Sequence, residues 1–160
     1  VAAKAKALGM SVMAFDPFVP AEKMVAEGIE AAQSLEQLYS SCDFVSIHIP
    51  ATPQTIGSIR ASLVGLMPKG GCLVNTARKE VIDETSLLEL LKLRSDLKYV
   101  TDVAPDAMDE FAEALGKRYF ATPKKMGAET AEANVNAGLA AARQIVAYFA
   151  TGCEKYRLNK

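Results

Sequence analysis

No apolar run in the chain approaches the roughly 18 residues that a bilayer-crossing helix needs. Neither sign of charge dominates: 18 Lys and Arg stand against 19 Asp and Glu, for a net charge of −1. Without a basic stripe there is no electrostatic footprint for nucleic acid, and without a basic amphipathic helix there is none for a membrane surface. Histidine is nearly absent, with His48 alone. The three cysteines, Cys42, Cys72 and Cys153, are odd in number and widely spaced, and no C-x-x-C pair occurs. That leaves no metal-ligand or dithiol spacing, and the apolar surroundings of the three predict reduced core thiols in a cytoplasmic protein. No signal-peptide pattern opens the chain. It begins on Val1 rather than Met, and AAKAKALG already reads as the tail of a helix closed by Gly9, so the expectation is that the protein's true beginning lies upstream. There is no internal repeat and no low-complexity linker.

What is present is a chain of 160 residues, half of them apolar, enough to enclose one core. Short apolar runs alternate with helical stretches. Strands are expected at Ser11–Phe15, Ile29–Ala31, Asp43–Ile49, Cys72–Val74, Tyr99–Val103 and Tyr119–Ala121. Helices are expected at Ala21–Glu27, at Ser34–Tyr39 with Ser34 and Gln37 as a capping box, and at Ile59–Met67. A leucine-rich helix starting at Asp83 or Glu84 carries Leu87, Leu88, Leu90, Leu91 and Leu93 around much of its circumference, as a well-buried helix does. Ala107–Lys117 reads as a surface helix, and Ala128–Phe149 as one long helix of small residues ended by Gly152. Tyr156–Leu158 is a possible further strand. Strands alternating with helices predict βαβ units and an α/β fold with a doubly wound parallel sheet.

In such a sheet ligands sit beyond the carboxyl ends of the strands. Asp16, His48, Arg78, Asp102 and Lys124 recur at or just past successive strand ends, a recurrence that surface chance explains less well than it explains any one of them. The segment Pro68–Asp83 is the most suggestive: a Pro-Lys-Gly-Gly turn feeds a short apolar run that stops at Asn75, Thr76, Ala77 and Arg78. An arginine just past such an edge can grip a carboxylate through two parallel hydrogen bonds, although Arg78-Lys79 is also what a solvated loop pair looks like. Asp16, at the tip of an early strand, is the residue type that binds ribose hydroxyls, and Asp-Pro is equally a turn initiator. His48 invites assignment as a base, but a lone histidine between isoleucines is more often a hydrogen-bonded wall. Lys124-Lys125 taken alone is a solvated pair, since lysine is seldom buried.

The runs FDPF with Asp16, SIHIPATPQTIGSI from Ser46, NTARKEVIDE from Asn75 and TPKKMGAETAEANVNAG from Thr122 resemble the nucleotide-binding domain of the D-isomer-specific 2-hydroxyacid dehydrogenases. The likeness is strongest to the phosphoglycerate-oxidising branch with a shortened chain. It implies a Rossmann-like NAD-binding domain over residues 1–127, followed by a returning helix and strand over 128–160. It also implies NAD-dependent oxidation of D-3-phosphoglycerate to 3-phosphohydroxypyruvate, a step of serine biosynthesis. The resemblance makes Asp16 the ribose ligand, sets His48, Ile49, Pro50 and Thr55 along the cofactor crevice, and makes Thr76 and Ala77 border the nicotinamide. Asp102 accepts from its carboxamide, Gly127 is a further cofactor contact, and Arg78 and Lys124 are catalytic, Arg78 on the substrate carboxylate. No metal is implied; the partner is a small 2-hydroxy acid, and a homodimer is expected of the complete enzyme.

Two departures from the family pattern matter. Most members have TPH where this chain has Thr122-Pro123-Lys124. A free lysine ionises near pH 10.4 and is a poor base at neutral pH, so it serves only if burial or a neighbouring positive charge, such as Lys125 or Arg78, favours the neutral amine. The family's histidine-orienting glutamate has no counterpart in TDVAPDAMDE: Asp106 is one position off, and the third catalytic role stays unassigned. No G-x-G-x-x-G occurs, which in this family joins the central first strand to the first helix; the expectation is that it lies upstream of Val1. The Ser11 and Asp43 strands then lack their common neighbour, and the chain alone is expected to be inactive. Rival readings are another D-2-hydroxyacid dehydrogenase or reductase, an NAD(H)-sensing corepressor-like module, and an inactive remnant.

Overall fold

The computed structural model describes residues 1–123 and 130–157. The chain divides into two compact units, Val1–Pro123 and Lys124–Lys160.

The first unit opens with helix α1, Ala2–Ala7, closed by Gly9 at φ 82°, a left-handed conformation that glycine adopts without strain. Strand β1, Met13–Ala14, pairs in parallel with β2, Glu30–Ala31, across helix α2, Ala21–Ala26. Helix α3, Leu35–Ser41, begins as its sequence predicts: Ser34 Oγ accepts from Gln37 N at 3.2 Å. The return bond reaches one residue further back than in the usual capping box, from Gln33 N to Gln37 Oε1.

Four further strands form a second sheet, all parallel, in the order β3-β4-β5-β6: Phe44–Ile47, Cys72–Asn75, Lys98–Thr101 and Tyr119–Ala121. Helices α4 (Ala61–Val64), α5 (Glu84–Leu93) and α6 (Met108–Leu115) connect them. The alternation of side chains along the strands sorts the two faces. Val45, Ile47, Leu73 and Tyr99 are buried in one core with Tyr39, Leu63, Val64, Leu87, Leu91, Phe111 and Leu115 of helices α3 to α6. On the opposite face Phe44 and Phe120 are 61% and 60% exposed, with Ser46 and Lys98 also open to solvent. Within this unit the sheet is covered on one side only.

β1 and β3 do not pair, so the fold is a Rossmann-like parallel sheet in two parts, interrupted where the first strand of such a sheet would lie.

Several elements are shorter than the sequence pattern predicts. The expected strand Ser11–Phe15 is two residues long because β2 is its one ladder partner. Ile59 is not helical; it forms a parallel bridge with Ile82, and helix α4 starts after it. Leu66 is 42% exposed, so the packed face there consists of Leu63, Val64 and Met67. Leu93 at 84% exposure shows that α5 is buried on one side rather than all round. Asn75, expected just past the strand, belongs to β4 and is fully buried.

In the second unit helix α7 runs Ala131–Thr151, capped by Thr130, whose Oγ1 accepts from Ala133 N at 3.1 Å, and closed by Gly152 at φ 67°. None of its residues is buried. Cys153, just beyond, is exposed, so it is not the core thiol the composition suggested; Cys42 is half-buried and Cys72 buried, and all three are free. Tyr156 lies in a turn and not a strand, while Leu158 is outside the described residues.

Candidate active site at the carboxyl edge of the sheet

The register Ile47↔Asn75↔Thr101↔Ala121 ends β3, β4, β5 and β6 on one line, and the next residues, His48, Thr76, Asp102 and Thr122, stand along a single edge. The ladder carries on past the strands: Asp102 N donates to Asn75 O at 2.9 Å and Thr122 N to Thr101 O at 3.1 Å. Thr122 Oγ1 also donates to Asp102 Oδ1 at 3.0 Å, tying the tip of β6 to that of β5.

Arg78 leaves β4 on a short turn held from below. The Asn75 side-chain oxygen accepts from Ala77 N, and its Nδ2 donates to Arg78 O, both at 3.0 Å. The Asn75 carbonyl in turn accepts from Thr101 Oγ1 at 3.0 Å. Ala77 is buried, while Thr76 and Arg78 are exposed. The Arg78 guanidinium folds back on Ala77 O at 2.8 Å, a single neutral acceptor that an incoming carboxylate outcompetes.

His48 ends β3 with its Nε2 2.9 Å from Ser46 Oγ. Burial pushes its pKa down, which favours the neutral ring. Ile49 and Pro50 follow. The Thr55 hydroxyl is used within its own loop, donating to Pro50 O and accepting from Thr52 N at 2.8 Å. Asp16 stands two residues beyond β1, exposed, with Oδ1 accepting from Phe18 N at 2.8 Å, a bond that holds the carboxylate to its own turn. Lys124 and Gly127 lie outside the described residues.

A second set of bonds joins the loops after β4 and β5. Lys79 Nζ pairs with Asp106 Oδ1, and the hydrogen bond raises the lysine's pKa. The Glu84 carboxylate accepts from Asp106 N and Ala107 N, each at 3.0 Å, at the start of α6. A cavity of about 340 Å³ lies among Lys79, Glu80, Ile82, Asp83, Glu84 and Asp106.

Residues 1–124 match the family description "D-isomer specific 2-hydroxyacid dehydrogenase, NAD binding domain". The chain belongs to the D-isomer specific 2-hydroxyacid dehydrogenases. Among the curated relatives of this chain is the D-3-phosphoglycerate dehydrogenase of Methanocaldococcus jannaschii, 34% identical over 153 residues, which cover 91% of this chain and 28% of that protein. That of Synechocystis is 35% identical over 153 residues, covering 91% and 26%. The solved structure of the NAD+-bound 3-phosphoglycerate dehydrogenase of Entamoeba histolytica superposes with a TM-score of 0.85 at 42% identity, over 99% of this chain and 50% of that one. The chain therefore spans about a quarter of the length of those curated relatives and half of that solved structure.

The sequence pattern put His48, Arg78 and Asp102 beyond strand ends, where the register has them, but did not single out the residues that hold the edge together. Asn75, Thr101 and Glu84 carry no functional signature by type. The one signal for Asn75 was a polar residue closing an apolar run, and only the register shows that it is buried. Asp106, the candidate for the vacant third catalytic role, has its carboxylate on Lys79, a pairing across 27 residues that spacing does not reveal.

Proposed function

We propose that the complete protein containing this chain oxidises D-3-phosphoglycerate to 3-phosphohydroxypyruvate with NAD, and that this segment supplies most of its cofactor crevice and two catalytic side chains. The observation that carries the reading is the single edge formed by His48, Arg78 and Asp102 at the ends of adjacent parallel strands, in a chain of this family. The relatives named above favour phosphoglycerate as the acid.

The residues present fit NAD at its two ends. Asp16 offers an exposed carboxylate held to its own turn, the arrangement that accepts from ribose hydroxyls and repels a 2′-phosphate. Asp102 and the Thr76-Ala77 turn, side by side beyond the ends of β5 and β4, are the groups this reading assigns to the nicotinamide carboxamide. NAD, when bound, would supply the acceptor for the hydride on C2, chemistry that belongs to the cofactor. Arg78 holds the substrate carboxylate through paired hydrogen bonds, giving up its contact with Ala77 O. Lys124, as the neutral amine, accepts the C2 hydroxyl proton, so loss of hydride and proton leaves the ketone. His48, neutral and bonded to Ser46, walls the crevice rather than acting as the base. Asp106 pairs with Lys79, and a lysine base needs no tautomer selected, so the third catalytic role stays unassigned. The acting protein is expected to be a cytoplasmic homodimer.

The test is NAD reduction by the complete protein with D-3-phosphoglycerate, D-lactate and glycerate, for the wild type and Lys124→Ala. A preference for the phosphorylated acid, with turnover reduced about 100-fold or more in the variant and NADH affinity retained, is the expected result for loss of a general base. Equal use of all three acids would move the assignment to a general D-2-hydroxyacid dehydrogenase. NADH binding with no acid turned over would favour a cofactor sensor.

A further inference from the structure

We propose that Asn75 is a positioning residue for substrate binding: its side-chain amide sets the Thr76-Ala77-Arg78 turn so that the Arg78 guanidinium meets a substrate carboxylate. The inference rests on the assignment of Arg78 to that carboxylate. Asn75 is 0% exposed and one of two buried polar residues in the described core, the other being Thr101, which donates to the Asn75 carbonyl. A buried amide is retained against an apolar neighbour at a cost unless its groups are bonded, and here both ends are used. Oδ1 accepts from Ala77 N and Nδ2 donates to Arg78 O. The two bonds hold Ala77 N and Arg78 O, one on each side of the Arg78 Cα, and so fix the backbone from which the guanidinium springs. Neither end of the amide reaches the exposed edge, so Asn75 acts through Arg78 and touches no ligand.

The clamp demands one acceptor and one donor on the same short side chain. Aspartate, of the same shape, keeps the acceptor for Ala77 N–H but sets an anionic oxygen against the Arg78 carbonyl; when protonated it can donate there again. Serine keeps an acceptor for Ala77 N–H and is too short to reach Arg78 O.

The complete protein is prepared as wild type, Asn75→Asp, Asn75→Ser, Arg78→Ala and the Asn75→Ser/Arg78→Ala double variant. Reduction of 3-phosphohydroxypyruvate by NADH is followed from pH 6 to 9, with NADH affinity from fluorescence. Arg78→Ala is expected to raise KM for the oxo acid, because it removes binding common to ground and transition states. Both Asn75 variants are expected to raise that KM about tenfold, with NADH affinity within about twofold of wild type and a smaller change in kcat. A carboxyl at this fully buried position holds its proton to higher pH than a free one, so the aspartate defect should grow with pH as that proton is lost, while the serine defect stays flat. In the double variant Asn75→Ser should add nothing, since its target is gone. An unchanged KM in both Asn75 variants, where Arg78→Ala raises it, overturns the clamp and leaves the proposed function standing. A KM untouched by Arg78→Ala means that the carboxylate lies elsewhere, and both fall together. Parallel losses of kcat, NADH affinity and thermal stability at constant KM assign Asn75 to folding alone and also overturn the proposal. If the aspartate variant does not accumulate, the serine variant and the cycle with Arg78→Ala decide it.

Discussion

Tyr119 shows how one atom can be left over when a core is assembled. Its ring packs against Tyr99 and Phe111 with centroids 5.8 and 5.5 Å away, but its hydroxyl oxygen is buried with no hydrogen-bond partner among the described residues. Burial pushes its pKa from 10.0 up to about 12. Removing an oxygen whose desolvation no bond offsets is neutral or stabilising, so Tyr119→Phe is expected to hold stability or raise it by about 1 kcal/mol at pH 7. The sign with pH follows from the folded value lying above the unfolded one. Between pH 10 and 12 the unfolded phenol gives up its proton first, so the wild type loses stability there as pH rises, and the phenylalanine variant loses less. Urea midpoints at pH 7 and pH 11 check this; a difference between the two proteins that does not widen at the higher pH would sink it.

At the level of elements, the end of the sheet opposite the candidate site is held by arginines at the exits of helices. Arg94, the residue after α5, donates to Gly65 O and Met67 O beyond α4, at 3.0 and 3.2 Å, and pairs through two bonds of 2.8 Å with Asp96. Asp96 Oδ2 also accepts from Gly70 N in the turn that leads into β4. Arg118 reaches the carbonyls of Leu91, Arg94 and Leu97. Cations near the last carbonyls of a helix also oppose its dipole. The Arg94 contact holds the Asp96 carboxyl well below the usual carboxylate range. Its stabilising effect is therefore complete above the unfolded value of 3.8 and is lost as pH falls below it. Asp96→Asn is expected to lower the melting temperature at pH 7 and to narrow that deficit at pH 3. Equal deficits at both pH values would show that the charge plays no part.

For the molecule as a whole, the uneven cover of the four-stranded sheet has the largest consequence. All-parallel sheets ordinarily have helices on both faces, and here one face of the first unit leaves Phe44 and Phe120 more than half exposed. Apolar surface of this kind on a parallel sheet drives association. The 160-residue chain alone is expected to bind a hydrophobic dye and to self-associate with rising concentration, and Phe44→Ser with Phe120→Ser to suppress both at little cost to its melting temperature. Light scattering of the two proteins at matched concentrations tests it. A chain that binds no dye and stays monomeric without the substitutions would sink it.

The sequence by itself determined the alternation of strands and helices, the Ser34 cap, the glycine exits at Gly9 and Gly152, and the placement of Asp16, His48, Arg78 and Asp102 at strand ends. These are legible because each depends on neighbours within a few residues: periodicity, a capping spacing, a tolerated positive φ, a polar residue closing an apolar run. Tertiary structure alone decided which of the leucines in α5 are buried, that Ile59 bridges to Ile82 instead of starting a helix, that Cys153 is exposed, and that Asp106 is engaged by Lys79. It also decided that Asn75, outwardly a loop residue, lies inside β4, paired with Thr101 of β5 and buried. Those outcomes depend on partners 20 or more residues away, or on which side of a helix faces the sheet. A local pattern holds no information about either until the strands have found their register.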